Sequence, residues 1–164
     1  MAQFYWDASG LIKRYFAEVG SDTADALFDL VPRYDMITSP IGYTETYSLL
    51  VRRLNERVID LPTFRVAITS LQNETVNDRD FGFLPISDQT IFGSIAAIAK
   101  HNLNATDAAI LTMLLAYISQ PSSPLVVLVA GDKRLLRAAN SEGIATVNPQ
   151  LMKDTDVPAF LASL

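Results

Sequence analysis

The chain has 164 residues, 49% of them apolar and 19% charged. That is enough apolar material for one buried core and too little charge for a disordered or highly charged arm. Thirteen Lys and Arg against eighteen Asp and Glu give a formal charge of −5, so no overall field draws in nucleic acid or anionic lipid, and any such contact has to be local.

The N-terminus has no basic segment ahead of Phe4-Tyr5-Trp6, and Asp7 closes that apolar run, so no secretory signal is expected. Residues 4–6 read as a first short strand, and Asp7 can cap a short helix over 11–16. Asp22, Asp25 and Asp29 recur on one helix face and read as solvated. Met36-Ile37-Thr38 is a second strand candidate. Tyr43, Tyr47, Leu50, Val51 and Leu54 draw one apolar helical stripe, and Phe64, Ile68 and Leu71 continue the pattern in a helix opened by Leu61-Pro62. Phe83-Leu84-Pro85-Ile86 is a third strand candidate, and Asp88 can cap a helix running to about residue 100. The longest apolar run, 108–118, is interrupted by Thr112 and falls short of the roughly 20 residues a bilayer requires. A loop over 119–124 leads to the strongest strand, 125–130. A helix over 133–142 stops at Gly143, and 144–147 is a fifth strand.

Strands separated by helix-length segments imply right-handed crossovers and a largely parallel sheet covered on both faces, so the class is α/β. Leu125-Val126-Val127-Leu128-Val129 is apolar on both faces, as a central parallel strand should be. A cytoplasmic protein without a membrane anchor is expected.

The chemistry open to this chain is narrow. With no cysteine and a single histidine, His101, disulfides, thiolate nucleophiles, iron–sulfur clusters and Cys- or His-rich zinc sites are excluded. His101 itself reads as a surface or capping residue. The seven glycines form neither a dinucleotide loop nor a P-loop. Catalysis therefore falls mainly to carboxylates.

Four acids interrupt apolar sequence: Asp7 after Phe-Tyr-Trp, Glu45 within a Tyr-rich helix, Asp107 before Ala-Ala-Ile-Leu, and Asp132 after Leu-Val-Val-Leu-Val-Ala-Gly. An unpaired buried charge at such places is costly. Asp7 and Asp132 fall just past the carboxyl ends of parallel strands, the edge at which open α/β sheets form their ligand crevice. Asp107 falls at a helix N-terminus, and Glu45 in about the first turn of its helix. Convergence of the four would raise some of their pKa values unless a cation neutralises them, and Mg²⁺ takes such oxygen ligands. Read one by one, Asp7, Asp107 and Asp132 are also good helix caps. Lys13 and Arg14, Arg52 and Arg53, and Lys133 and Arg134 follow three of the acids. They can bind substrate phosphates or simply belong to solvated faces.

Tyr5-Trp6-Asp7-Ala8-Ser9-Gly10-Leu11-Ile12-Lys13-Arg14-Tyr15, Glu45 in its Tyr-rich helix, Asn104-Ala105-Thr106-Asp107-Ala108-Ala109, Ala130-Gly131-Asp132-Lys133-Arg134 and Gly143-Ile144-Ala145-Thr146-Val147-Asn148-Pro149 form an ordered set. It resembles the PIN domain in its VapC-type toxin branch. The resemblance implies a three-layer α/β/α fold around a mostly parallel five-stranded sheet, spanning residues 1–149; residues 150–164 are expected to form a tail packed on the same domain. It also implies a Mg²⁺- or Mn²⁺-dependent ribonuclease acting on RNA. Asp7, Glu45, Asp107 and Asp132 match the acidic quartet, with Ser9 and Thr106 at the hydroxyl positions that help arrange ligands or water; Lys13, Arg14, Arg52, Lys133 and Arg134 remain the candidate substrate-binding cations. A homodimer and a small antitoxin that reaches into the site are the implied partners. Two features depart from the pattern: the apolar tail beyond Asn148-Pro149, and the acidic net charge. The competing readings are a non-catalytic PIN-like binding module and a phosphatase with Asp7 as nucleophile. The latter requires a second Asp where Ser9 stands.

Overall fold

A computed structural model of the chain describes residues 2–164. In chain order the elements are β1 (Ala2–Trp6), α1 (Ala8–Tyr15), α2 (Ser21–Leu30), β2 (Met36–Thr38), α3 (Pro40–Asn55), α4 (Leu61–Glu74), β3 (Gly82–Phe83), α5 (Asp88–Gly93), α6 (Ile95–His101), α7 (Ala105–Ile118), β4 (Leu125–Val129), α8 (Lys133–Ser141), β5 (Ala145–Val147) and α9 (Val157–Ala162). The five strands form one all-parallel sheet in the order β3-β2-β1-β4-β5.

Period-two alternation in the strands divides the core. Phe4 and Trp6 of β1, with Val127 and Val129 of β4, face a layer containing α1, α2, α3, α4 and Val157 of α9. Tyr5, Val126 and Leu128 face the opposite layer of α7 and α8. Both faces are covered, which is why β4 is apolar on both. The result is a three-layer α/β/α molecule.

Register aligns the chemistry-bearing ends. Trp6 pairs with Val129, and the Asp7 amide donates to the Val129 carbonyl at 3.0 Å, so the turns after β1 and β4 leave the sheet side by side. The chain winds outward from β1 to β3 and then crosses to β4. The gap between β1 and β4 is therefore the topological switch point where a crevice forms.

Some boundaries differ from the sequence expectation. α1 begins at Ala8 rather than Leu11, because Asp7 caps it by accepting from the Ser9 amide. β3 is confined to Gly82–Phe83; Leu84 adds one further bond to the Thr38 carbonyl. The single helix expected over 88–100 is two. Ser87, not Asp88, caps α5, and the Ser94 hydroxyl donates to the Ile91 carbonyl, a side-chain bond that competes with the helical ladder at the break.

The segment after β5 packs beside α2. The Thr23 hydroxyl donates to the Met152 carbonyl, Val157 is fully buried, and Phe160 and Leu161 lie against the same core. Among the described residues, no helix is long and apolar enough to cross a membrane.

Candidate active site

Local structure brings each of the four acids to the carboxyl edge of the sheet. Asp7 leaves β1 and caps α1. Asp132 leaves the turn after β4 and caps α8, one carboxylate oxygen accepting from the amides of Arg134 at 2.7 Å and Leu135 at 3.0 Å. Asp107 is not the cap of α7. Asn104 is, accepting from the Asp107 amide at 2.8 Å and donating back from its amide nitrogen to Asp107 Oδ2 at 2.8 Å. This reciprocal box fixes the Asp107 side chain in the first turn. Glu45 lies in the second turn of α3. Ser39 caps that helix at the Gly42 amide, and Tyr5, donating to Ser39 Oγ at 2.9 Å, ties the cap to β1.

The four carboxylates line one cavity of about 270 Å³, together with Ala8, Ser9, Ser48, Leu49, Arg52 and Asn104. Larger hollows exist elsewhere. One of about 440 Å³ lies at the opposite strand edge, between Ala2, Leu30, Leu125 and Leu161, with Asp35 as the one acidic side chain among its described lining residues. Another, of about 660 Å³, lies beside Leu54, Val58 and Thr63. Neither gathers titratable groups as the smaller cavity does.

Ser9 binds the two key turns together. Its amide and hydroxyl both donate to Asp7 Oδ2, while its oxygen accepts from the amides of Gly131 at 2.9 Å and Asp132 at 3.2 Å. The bonds from Ser9 engage only one oxygen of Asp7, and the capping bonds only one oxygen of Asp132.

The electrostatics follow from this crowding. Burial pushes the Asp7 carboxyl above its usual range, the Ser9 hydrogen bonds oppose the shift, and the Asp132 charge adds to it. Glu45 is raised by burial and by the Asp7 charge, with the Thr106 hydroxyl and Arg52 opposing. Asp107 is pushed up to about 7 by burial and by Asp7, Asp132 and Glu45. Like charges this close raise one another's pKa values, and a cation bound among them would oppose the shift.

The candidate cations divide. Arg52 lines the cavity, and Lys133 and Arg134 are exposed in the first turn of α8. Lys13 is instead buried, held by the Glu18 carboxylate and the Val19 carbonyl. Arg14 makes a two-pronged pair with Glu74 and a third bond to Asp25. Adjacent basic residues look like a solvated pair in sequence, but here both are committed to internal acids. Ser48 and Asn104 were not identified as site residues in sequence. The signal for Ser48 is helical spacing, since Glu45, Ser48, Leu49 and Arg52 fall on one face of α3.

The donor set suits a hard divalent ion: four carboxylates and no soft ligand. Among the described residues, no three acidic or histidine side chains close into a ready-made metal cage. Mg²⁺ is commonly held by one or two carboxylates with waters completing its shell, so the residues present fit a partly hydrated ion.

No family model matches the sequence, and no curated protein matches it. Solved structures do. The chain is similar to VapC20 of Mycobacterium tuberculosis, a sarcin–ricin loop cleaving toxin, with a TM-score of 0.65 and 15% identity over 88% of this chain and 98% of that one. It is similar to PAE2754 from Pyrobaculum aerophilum, with a TM-score of 0.63 and 16% identity over 100% of both chains. It is also similar to FitAcB from Neisseria gonorrhoeae, with a TM-score of 0.62 and 14% identity over 92% of this chain and 100% of that one. The fold is thus of the PIN, VapC-like type.

Proposed function

We propose that the chain is a metal-dependent endoribonuclease, the toxin of a toxin–antitoxin pair, acting in the cytoplasm as a homodimer. The observation that carries this reading is the enclosure of Asp7, Glu45, Asp107 and Asp132 in one cavity, where three of them are raised above their usual range. The likeness in fold to VapC20, a sarcin–ricin loop cleaving toxin, supports the choice of RNA as substrate.

Asp7, Asp107 and Asp132 would hold Mg²⁺ or Mn²⁺ directly or through water. Bound there, the ion would supply Lewis-acid activation of a water and would offset charge on the phosphodiester. Glu45, half-buried and raised, is suited to accept a proton from that water. Ser9 fixes the Asp7 and Asp132 turns relative to each other, and the Thr106 hydroxyl acts on Glu45. Arg52 at the cavity wall can bind a phosphate oxygen, with Lys133 and Arg134 nearby on α8. The cluster of carboxylates gives a basic side chain from a small antitoxin a complementary place to bind.

The test is incubation of the protein, purified free of any antitoxin, with structured RNA in the presence of Mg²⁺ or Mn²⁺. Cleavage that stops with EDTA and returns with metal is expected. Unchanged cleavage by Asp7→Asn overturns the assignment. Calorimetry that detects no metal binding would instead favour a PIN-like binding module without catalysis.

A further inference from the structure

A second hollow of about 320 Å³ adjoins the acid cavity and shares Ser9, Leu49 and Asp132 with it. Its basic residues are Lys13 and Arg53. Lys13 already donates to Glu18 and the Val19 carbonyl. Among the described residues, Arg53 makes no such hydrogen bond. Its guanidinium lies over the Phe16 ring, 5.3 Å from the centroid. Its two terminal nitrogens stand 3.7 Å from Glu18 and Glu56 oxygens, beyond hydrogen-bond reach. Its Nε is buried with no hydrogen-bond partner among the described residues.

A planar donor fork held over an aromatic ring, with its partly exposed terminal nitrogens outside hydrogen-bond reach of Glu18 and Glu56, is prearranged for two-pronged binding of a phosphate through those nitrogens. Charge points the same way. In this hollow Lys13 and Arg53 offset Glu18 and Asp132, whereas the neighbouring cavity sets four acids against Arg52. A phosphate backbone leaving the acid cavity past Asp132 therefore meets less repulsion here. The geometry points to Arg53 as the anchor of a subsite for the phosphate next to the cleaved bond, an inference that rests on the ribonuclease reading. Phe16 and Glu18 position its guanidinium.

The test uses the full chain carrying Asp7→Asn, with and without Arg53→Ala. It measures binding of a short single-stranded oligoribonucleotide across a salt series, and of the same RNA with one neutral methylphosphonate moved along it. Arg53→Ala should weaken binding about tenfold and reduce the slope of log affinity against log salt by about 0.7, the value for one lost single-strand phosphate contact. One methylphosphonate position should weaken the parent equally and leave Arg53→Ala unaffected. Arg53→Lys should keep the salt slope while losing part of the affinity. Unchanged affinity and slope in Arg53→Ala overturn the subsite. So does a loss of affinity without a change of slope, which marks a purely structural role for Arg53, and so does failure to bind RNA at all. If Arg53→Ala does not fold, Arg53→Lys decides: equal sensitivity to every methylphosphonate in parent and variant overturns the proposal. Wild-type cleavage with Mn²⁺ is scored separately. Arg53-dependent binding without cleavage removes the nuclease reading and leaves the subsite, while cleavage indifferent to Arg53 does the reverse.

Discussion

Asp7 has two roles that a single atom change separates. It caps α1 and it faces the acid cavity. Asparagine caps a helix about as well as aspartate, so Asp7→Asn should leave thermal stability near wild type while lowering RNA cleavage by about 100-fold or more, the scale of one lost electrostatic contact in a reactive site. Asp107 gives a pH signature. Its carboxyl is raised from 3.8 to about 7 in the folded chain without metal, so the fold favours the protonated form. The stability contributed is full below about pH 4 and disappears as the pH rises through about 7. Thermal melts of the metal-free protein should show that decline. Mg²⁺ should flatten it and release protons near pH 6, because metal takes the ionised carboxylates. Asp7 and Glu45, also raised, act in the same direction. Asp7 and Asp132 are legible in sequence because each ends an apolar run where a strand leaves the sheet, whereas Asp107 and Glu45 are legible as acids set against apolar helix sequence. The burial of Lys13 and the pairing of Arg14 are not legible, since their partners Glu18, Asp25 and Glu74 are set by how α1 meets α2 and α4.

At the level of elements, two glycines make opposite predictions. A Cβ at Gly10 of α1 would stand 2.5 Å from the Val129 carbonyl oxygen, a backbone atom of β4. Gly10→Ala should therefore force α1 off the sheet, cost about 1–3 kcal/mol and disturb the Asp7–Asp132 spacing. At Gly93, the last residue of α5, the nearest atom is Thr112 Cγ2 at 3.8 Å. Gly93→Ala should stabilise by roughly 0.4–1 kcal/mol through the unfolded chain. Denaturant melts of the two variants check both signs. Strand positions and the long helices could be read from apolar spacing and from Pro62 at a helix start. The division of α5 from α6 could not, because it depends on the Ser94 hydroxyl choosing the Ile91 carbonyl, a local bond that periodicity does not register.

For the molecule as a whole, the α/β class followed from strand–helix alternation, and the sheet order places β1 at its centre. What the alternation could not supply is where the last segment rests. Val157, Phe160 and Leu161 cover the α2 side of the core, and full burial of a residue such as Val157 contributes about 2 kcal/mol. A chain ending at Lys153 should melt roughly 5–10 °C lower. It should retain cleavage below its transition, since nothing after Lys153 lines the acid cavity.

The position of β1 between β2 and β4 also bears on how the molecule is made. Asp7 and Ser9 are synthesised more than a hundred residues before the Val129 carbonyl and the Gly131 and Asp132 amides that they bind. A nascent polypeptide still short of β4 carries the early acids with nothing to gather them. Truncated chains that stop short of β4 should therefore be inert in an RNA-cleavage assay.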